Sequence, residues 1–155
     1  MIRISSMLVD GAVRSGVICS NKTAILAELS KLAADNYGLD AKAVQEGLEE
    51  REHLGATGFG GGSAIPHTKI KGLSVPVGLF LRLDNPVAYD AVDDEPVDLV
   101  FGLISPAHDG AAHLRALAEI SRMLRDEDSC SHLRGAQDAA ALFALLTMPQ
   151  ERNAA

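Results

Sequence analysis

Hydrophobic spacing divides the chain into helical and extended stretches. Ile25, Leu26, Leu29, Leu32 and Ala33 recur at the three- and four-residue intervals that line one side of a helix. Ser20-Asn21 offers an N-cap before them and Gly38 stops the run. Asp40 caps a second predicted helix whose inward stripe is Val44, Leu48, Arg51 and Leu54, with Glu49, Glu50 and Glu52 pointing elsewhere. The period then changes. Val75, Val77, Leu79, Leu81 and Leu83 alternate with Pro76, Gly78, Phe80 and Arg82, which predicts a strand with Pro76 near its start or on an edge. Asp84-Asn85-Pro86 predicts a turn, Val87-Ala88 a brief pairing, and Asp93-Asp94-Glu95-Pro96 an exposed acidic loop. Val97 to Ile104 is apolar except for Asp98, as expected of a central strand covered on both faces. After Asp109, a third helix carries His113, Leu117, Ile120 and Leu124 on one stripe, joined by Leu114 and Met123. Ser129 to Leu133 predicts a short helix, and Asp138 caps a last one through Leu142, Phe143, Leu145 and Leu146. The first 19 residues read as an irregular or helical entry and a strand near Val17. Helices between and after at least three strands indicate an α/β layered domain. The expected organisation is one domain over residues 1–150 and a frayed tail at 151–155.

One stretch fits neither period. From Gly55 to Gly62 the chain has five glycines in eight residues, and Ser63 to Pro66 then predicts a short strand that brings His67 to a sheet end. Glycine is entropically costly to order, so such a run is expected where backbone turns sharply or approaches a ligand. Closely spaced amides there can form an anion nest. The expectation is a nucleophilic His67 whose phosphoryl-binding loop comprises Gly58, Gly60, Gly61, Gly62, Ser63 and Thr68. No Gly-Lys-Ser/Thr follows the run, so it is not a P-loop; it leaves a helix and enters a strand, so it is not a dinucleotide fingerprint.

Composition narrows the partners. A formal charge of -7 disfavours nucleic acid and anionic membranes and favours a partner with a basic face. No apolar run reaches the roughly 20 residues of a membrane span and the N-terminus has no signal-peptide core, so a cytoplasmic location is expected. Cys19 and Cys130 form no CxxC and read as reduced, packed thiols. The five histidines form no HExxH, and no metal or cofactor is expected. His53, His108 and His132 lie in polar surroundings and read as surface residues.

Phosphoryl transfer suits the groups near His67. A neutral imidazole attacks phosphorus in line, and the equatorial oxygens need cations and amide donors. Arg51, on the apolar side of its helix, either buries its stem and snorkels or aims its guanidinium at an anion. His113, near a helix N-terminus, is biased toward the neutral form by the positive dipole end.

Four blocks then carry a resemblance: Arg51-Glu52-His53-Leu54-Gly55-Ala56-Thr57-Gly58, Ala64-Ile65-Pro66-His67-Thr68-Lys69, Pro96-Val97-Asp98-Leu99-Val100-Phe101, and His113-Leu114. The chain resembles the mannitol/fructose-type enzyme IIA domains of the bacterial phosphoenolpyruvate-dependent phosphotransferase system, and within them the nitrogen-related subgroup. Gly61 and Thr68 depart from the commonest nitrogen-type pattern, where asparagine and glycine are frequent. The resemblance implies a three-layer α/β fold, with a mixed parallel and antiparallel sheet flanked by helices on both faces. It implies that His67 accepts phosphate from an HPr-type carrier, with Arg51 and His113 as active-site partners, and that phosphorylation state controls regulatory targets in nitrogen, potassium or stress responses. A sugar-route component that donates to a separate IIB protein is one alternative, and a binding module without phosphorylation is another.

Overall fold

The structure, a computed structural model, describes residues 2–148. The tail expected at 151–155 lies outside the described residues. Two 3-10 turns, Ile4–Ser6 and Asp10–Ala12, lead into β1 (Val13–Val17). Helix α1 (Lys22–Tyr37) starts where the Asn21 side chain accepts a hydrogen bond from the Ala24 amide at 2.8 Å. Helix α2 (Ala41–His53) starts with the Asp40 carboxylate on the Lys42 amide at 3.0 Å. Three short strands follow, β2 (Gly58–Gly60), β3 (Ser63–Ala64) and β4 (His67–Ile70), and then two long ones, β5 (Val77–Val87) and β6 (Val97–Pro106). Helices α3 (Gly110–Arg125), α4 (Glu127–Gly135) and α5 (Ala139–Thr147) complete the described chain. Asp109 and Asp138 cap the first and last of these, accepting from Ala112 and Ala141 amides.

The six strands form one mixed sheet in the order β1-β5-β6-β3-β2, with β4 also paired to β6. β1 runs parallel to β5, and β5 antiparallel to β6. The other edge of β6 is shared: β3 pairs with it at Ser63–Leu99 and Ala64–Val100, and β4 from His67–Leu103 to Ile70–Pro106, both parallel. β3 and β4 are therefore two halves of one interrupted strand. The interruption is Ile65-Pro66, where proline has no amide to donate; Pro66 still accepts from Leu103 N at 2.9 Å.

Alternation along β5 and β6 supplies two cores. Leu79, Leu81, Val100 and Ile104 pack with Ile25, Leu29, Val44 and Leu48 of α1 and α2. Phe80, Phe101 and Leu103 pack on the other face with Ile120, Leu133 and Leu142 of α3, α4 and α5. Because β6 is covered on both sides, its near-continuous apolar run is what the sheet centre requires.

Three expectations change. Asp84-Asn85-Pro86 is not a turn but an irregularity inside β5, where the register shifts before Val87 pairs with Val97. The glycine run is not an open loop: β2 and β3 pair antiparallel across Gly61-Gly62 as a hairpin. Leu54 and Leu114 are not core residues; they are 82% and 68% exposed, because Leu54 is the cap residue where α2 ends and Leu114 points outward from the first turn of α3.

Candidate functional site

His67 opens β4 directly after Pro66, so the strand break aims its side chain. Its Nδ1 lies 2.7 Å from the Ile65 carbonyl oxygen. A carbonyl only accepts, so Nδ1 carries the proton and Nε2 keeps a lone pair. That lone pair accepts a hydrogen bond from Arg51 Nε at 3.2 Å. Burial is the main cause holding the His67 pKa below its ordinary value; Arg51 and Lys69 add to it, against the Ile65 hydrogen bond and the Glu52 charge. The ring is neutral at pH 7 with a known tautomer.

Arg51 sits in the last turn of α2, half-buried, and its Nη1 donates to the Gly55 carbonyl at 2.8 Å. The helix thus ends in a guanidinium fixed at two points. Behind it, Glu52 is a buried organiser rather than a residue pointing elsewhere. Its carboxylate accepts from the Thr57 amide at 3.1 Å, from the Thr57 hydroxyl, from Tyr89 Oη at 3.2 Å and from Lys22 Nζ at 3.3 Å. Only 6% of its side chain is exposed. Those bonds fix the segment that carries the Gly55 carbonyl, and through it Arg51.

His113 is buried at the start of α3, its ring centroid 5.4 Å from that of His67 and tilted by 49°. Nδ1 lies 2.6 Å from the hydroxyl oxygen of Ser105, a fully buried residue of β6. Its pKa is pushed down to about 4, by burial first and by the charges of His67 and Lys69 after it. The neutral state expected from the helix terminus is present, but burial is its largest cause.

The structure does not bring the expected phosphoryl-binding loop to His67. Ser63 pairs with Leu99 and His67 with Leu103, four residues apart along β6, or about 13 Å. Gly61 and Gly62 lie beyond Ser63, in the hairpin turn, with φ of 68° and 81°. The Gly61 amide donates to Asp93 Oδ2 at 3.1 Å, and Arg134, paired with Asp98, donates to the Gly61 carbonyl at 2.8 Å. Hydrogen bonds from the Glu95 and Gly61 amides hold the Asp93 carboxyl below its ordinary pKa. The anion at this turn is the protein's own carboxylate. Gly58 is buried, with space for a Cβ only 2.9 Å from Ala91 Cβ and 3.2 Å from the Tyr89 ring. The Ser63 hydroxyl lies 3.9 Å from the Cys130 sulfur. Thr68, next to His67, faces the opposite side of β4, its hydroxyl against Gly47 of α2.

The residues that do converge are His67, Arg51 and His113, with Lys69 close enough to act on both imidazoles. Arg51 was legible as a cation on an apolar stripe and His113 as a histidine in a first helical turn. Glu52 and Ser105 were not singled out. The signal for Ser105 is faint, a lone hydroxyl at the end of the apolar run of β6.

Comparisons with known proteins bear on the family and the fold. The chain is 42% identical over 146 residues to a nitrogen regulatory protein of Bradyrhizobium diazoefficiens, covering 94% of this chain and 95% of that one. It superposes on the crystal structure of nitrogen regulatory protein IIA-Ntr from Neisseria meningitidis with a TM-score of 0.87 and 30% identity, covering 93% and 99% of the two chains. The fold is shared with the mannitol enzyme IIA of Escherichia coli in its complex with phosphorylated enzyme IIB, at a TM-score of 0.74, 17% identity and coverage of 90% and 96%. A family model described as phosphoenolpyruvate-dependent sugar phosphotransferase system, EIIA 2, matches residues 7–148, and it is to this family that the chain belongs.

Proposed function

We infer that His67 Nε2 accepts a phosphoryl group from an HPr-type phosphohistidine carrier in the cytoplasm, and that the phosphorylation state of His67 governs binding to regulatory partners. The observation that carries this is the His67 ring itself: neutral, with Nδ1 committed to a carbonyl and Nε2 turned to a guanidinium. In the transfer the N–P bond of the carrier breaks, its electron pair returns to the carrier's imidazole, and the Nε2 lone pair forms the new N–P bond. The Nδ1 proton stays where it is. The ring becomes an imidazolium, and the Ile65 carbonyl is placed to stabilise it.

Arg51 has to give up its bond to Nε2 for the attack to occur. The freed N–H is then next to the incoming oxygens, so the residue that covers the nucleophile also supplies a cation to the phosphoryl group. Lys69 adds a second cation. His113, uncharged, offers a hydrogen bond. These groups replace the glycine amides in the role of phosphoryl ligands.

Regulatory output is favoured by similarity over almost the whole length to proteins named for nitrogen regulation. The test is incubation with phosphoenolpyruvate, enzyme I and the carrier, followed by mass spectrometry at neutral or alkaline pH. One phosphoryl group on wild type and none on His67→Ala is the expected result. Arg51→Ala and His113→Ala should be phosphorylated about 10²-fold more slowly, the scale of losing one stabilising donor. No label on wild type would instead indicate a binding module. Rapid, specific loss of label to one purified IIB protein would assign the chain to a sugar route.

A further inference from the structure

Ser105 closes the apolar run of β6, paired with Lys69 of β4 and sealed from solvent. Among the described residues, the hydrogen-bond partner of its hydroxyl is Nδ1 of His113, at 2.6 Å. Two assignments fit that distance. If Nδ1 carried the imidazole proton, the hydroxyl would be the acceptor, and its own proton would be left in a buried site without an acceptor among the described residues. If Nδ1 is bare, the hydroxyl donates to it and both groups are satisfied. A buried donor left unpaired costs its full desolvation, so the second assignment is favoured.

We propose that Ser105 is a positioning residue: by donating to Nδ1 it places the proton of His113 on Nε2, and so makes His113 a neutral hydrogen-bond donor to the phosphoryl group on His67. The two histidines then hold opposite tautomers for stated reasons. His67 faces a carbonyl, which can only accept, and keeps its proton on Nδ1, which leaves the lone pair on Nε2. His113 faces a hydroxyl that donates, and keeps Nδ1 bare with Nε2–H available. The ring centroids are 5.4 Å apart, which brings a phosphoryl group on one ring within reach of the other. Burial keeps the second imidazole uncharged, so the donor adds no cation to the unphosphorylated site. This assignment rests on His67 accepting the phosphoryl group.

The tautomer is read directly from long-range proton–nitrogen correlation spectra of the 15N-labelled chain at neutral pH. Wild type should show His113 with Nδ1 unprotonated and Nε2 protonated. Ser105→Ala should lose that single tautomer and slow carrier-dependent phosphorylation about tenfold, less than removal of the His113 donor itself. Placed in the His113→Ala background, Ser105→Ala should slow transfer no further, because its effect passes through that ring. Protonated Nδ1 in wild type would overturn the proposal. So would an unchanged rate in Ser105→Ala, or an equal slowing in both backgrounds, which would mark a general packing effect. If wild type takes no phosphoryl group at all, the relay function falls, and the spectrum alone decides the Ser105 assignment: bare Nδ1 supports it and protonated Nδ1 ends it.

Discussion

At the scale of single residues, His67 and His113 are two imidazoles 5.4 Å apart that must not both become charged. Burial lowers both pKa values, His113 to about 4. The sign of the pH effect follows. An unfolded imidazole binds a proton near pH 6.5, whereas the folded His113 refuses one until about pH 4, so the unfolded chain binds more protons in that window. The contribution of His113 should be flat above pH 6.5, and stability should fall as pH drops from there toward 4. Denaturation midpoints across that range should show a shallower decline in His113→Gln. The phosphorylation rate of His67 should stay above half its maximum at pH 6.5, where an unperturbed imidazole would already be half protonated; a half-maximal rate at that pH would contradict its depressed pKa. Glu52 is the other residue whose chemistry is settled by its surroundings. Glu52→Ala removes the acceptor for Thr57, Tyr89 and Lys22 and should cost about 2–3 kcal/mol by urea unfolding, since hydrogen bonds to a buried charge carry most of that. Phosphorylation should slow without being lost, because Arg51 remains but its anchoring segment loosens.

Elements meet at α2 and β4. A Cβ on Gly47 would sit 2.5 Å from the Thr68 hydroxyl oxygen, 3.1 Å from its methyl and 3.2 Å from its Cβ. Turning the threonine rotamer can move the hydroxyl away but not Cβ, which at 3.2 Å still asks helix and strand to separate by a few tenths of an ångström. Alanine favours a helix interior by about 1 kcal/mol over glycine. Overpacking opposes this with about 1–3 kcal/mol. Gly47→Ala should therefore be net destabilising, and Thr68→Ala in the same chain should recover the loss, as measured by denaturation midpoints of the two single variants and the double. A net gain in Gly47→Ala alone would show that the helix–strand spacing yields. The same contact shows why Thr68 does not belong to the phosphoryl-binding loop expected from the sequence. Its neighbour His67 is in the site and one residue further the chain faces the other core, a consequence of strand alternation that became visible only once 67–70 was known to be a strand.

Over the whole molecule, charge and exposed apolar surface bear on the carrier. The chain carries a formal -7, so a partner with a basic rim is attracted, and the second-order rate of phosphorylation should fall as salt rises. Leu54 and Leu114 are exposed beside the site, one three residues after Arg51 and the other next to His113. Leu54→Asp and Leu114→Asp should raise the carrier concentration needed for half-maximal rate, about tenfold if these side chains anchor the complex, while leaving the saturated rate nearly unchanged. Much of the architecture was legible beforehand because it depends on local periods and caps: Asn21, Asp40, Asp109 and Asp138 each start a helix where the sequence places one, and the run from Val97 to Ile104 lies at the sheet centre. His67, Arg51 and His113 were singled out for the same kind of reason, each being a chemical group in a position that local structure makes unusual. The glycine hairpin was misplaced because composition records backbone freedom and not where that freedom is used, and here it closes a turn against Asp93 and Arg134. Residue order thus determined most of the elements and singled out His67; the tertiary structure alone decided which groups surround that imidazole, since Ser105, His113, Glu52 and Arg51 come together by sheet register and helix packing, which bring distant positions within hydrogen-bond reach.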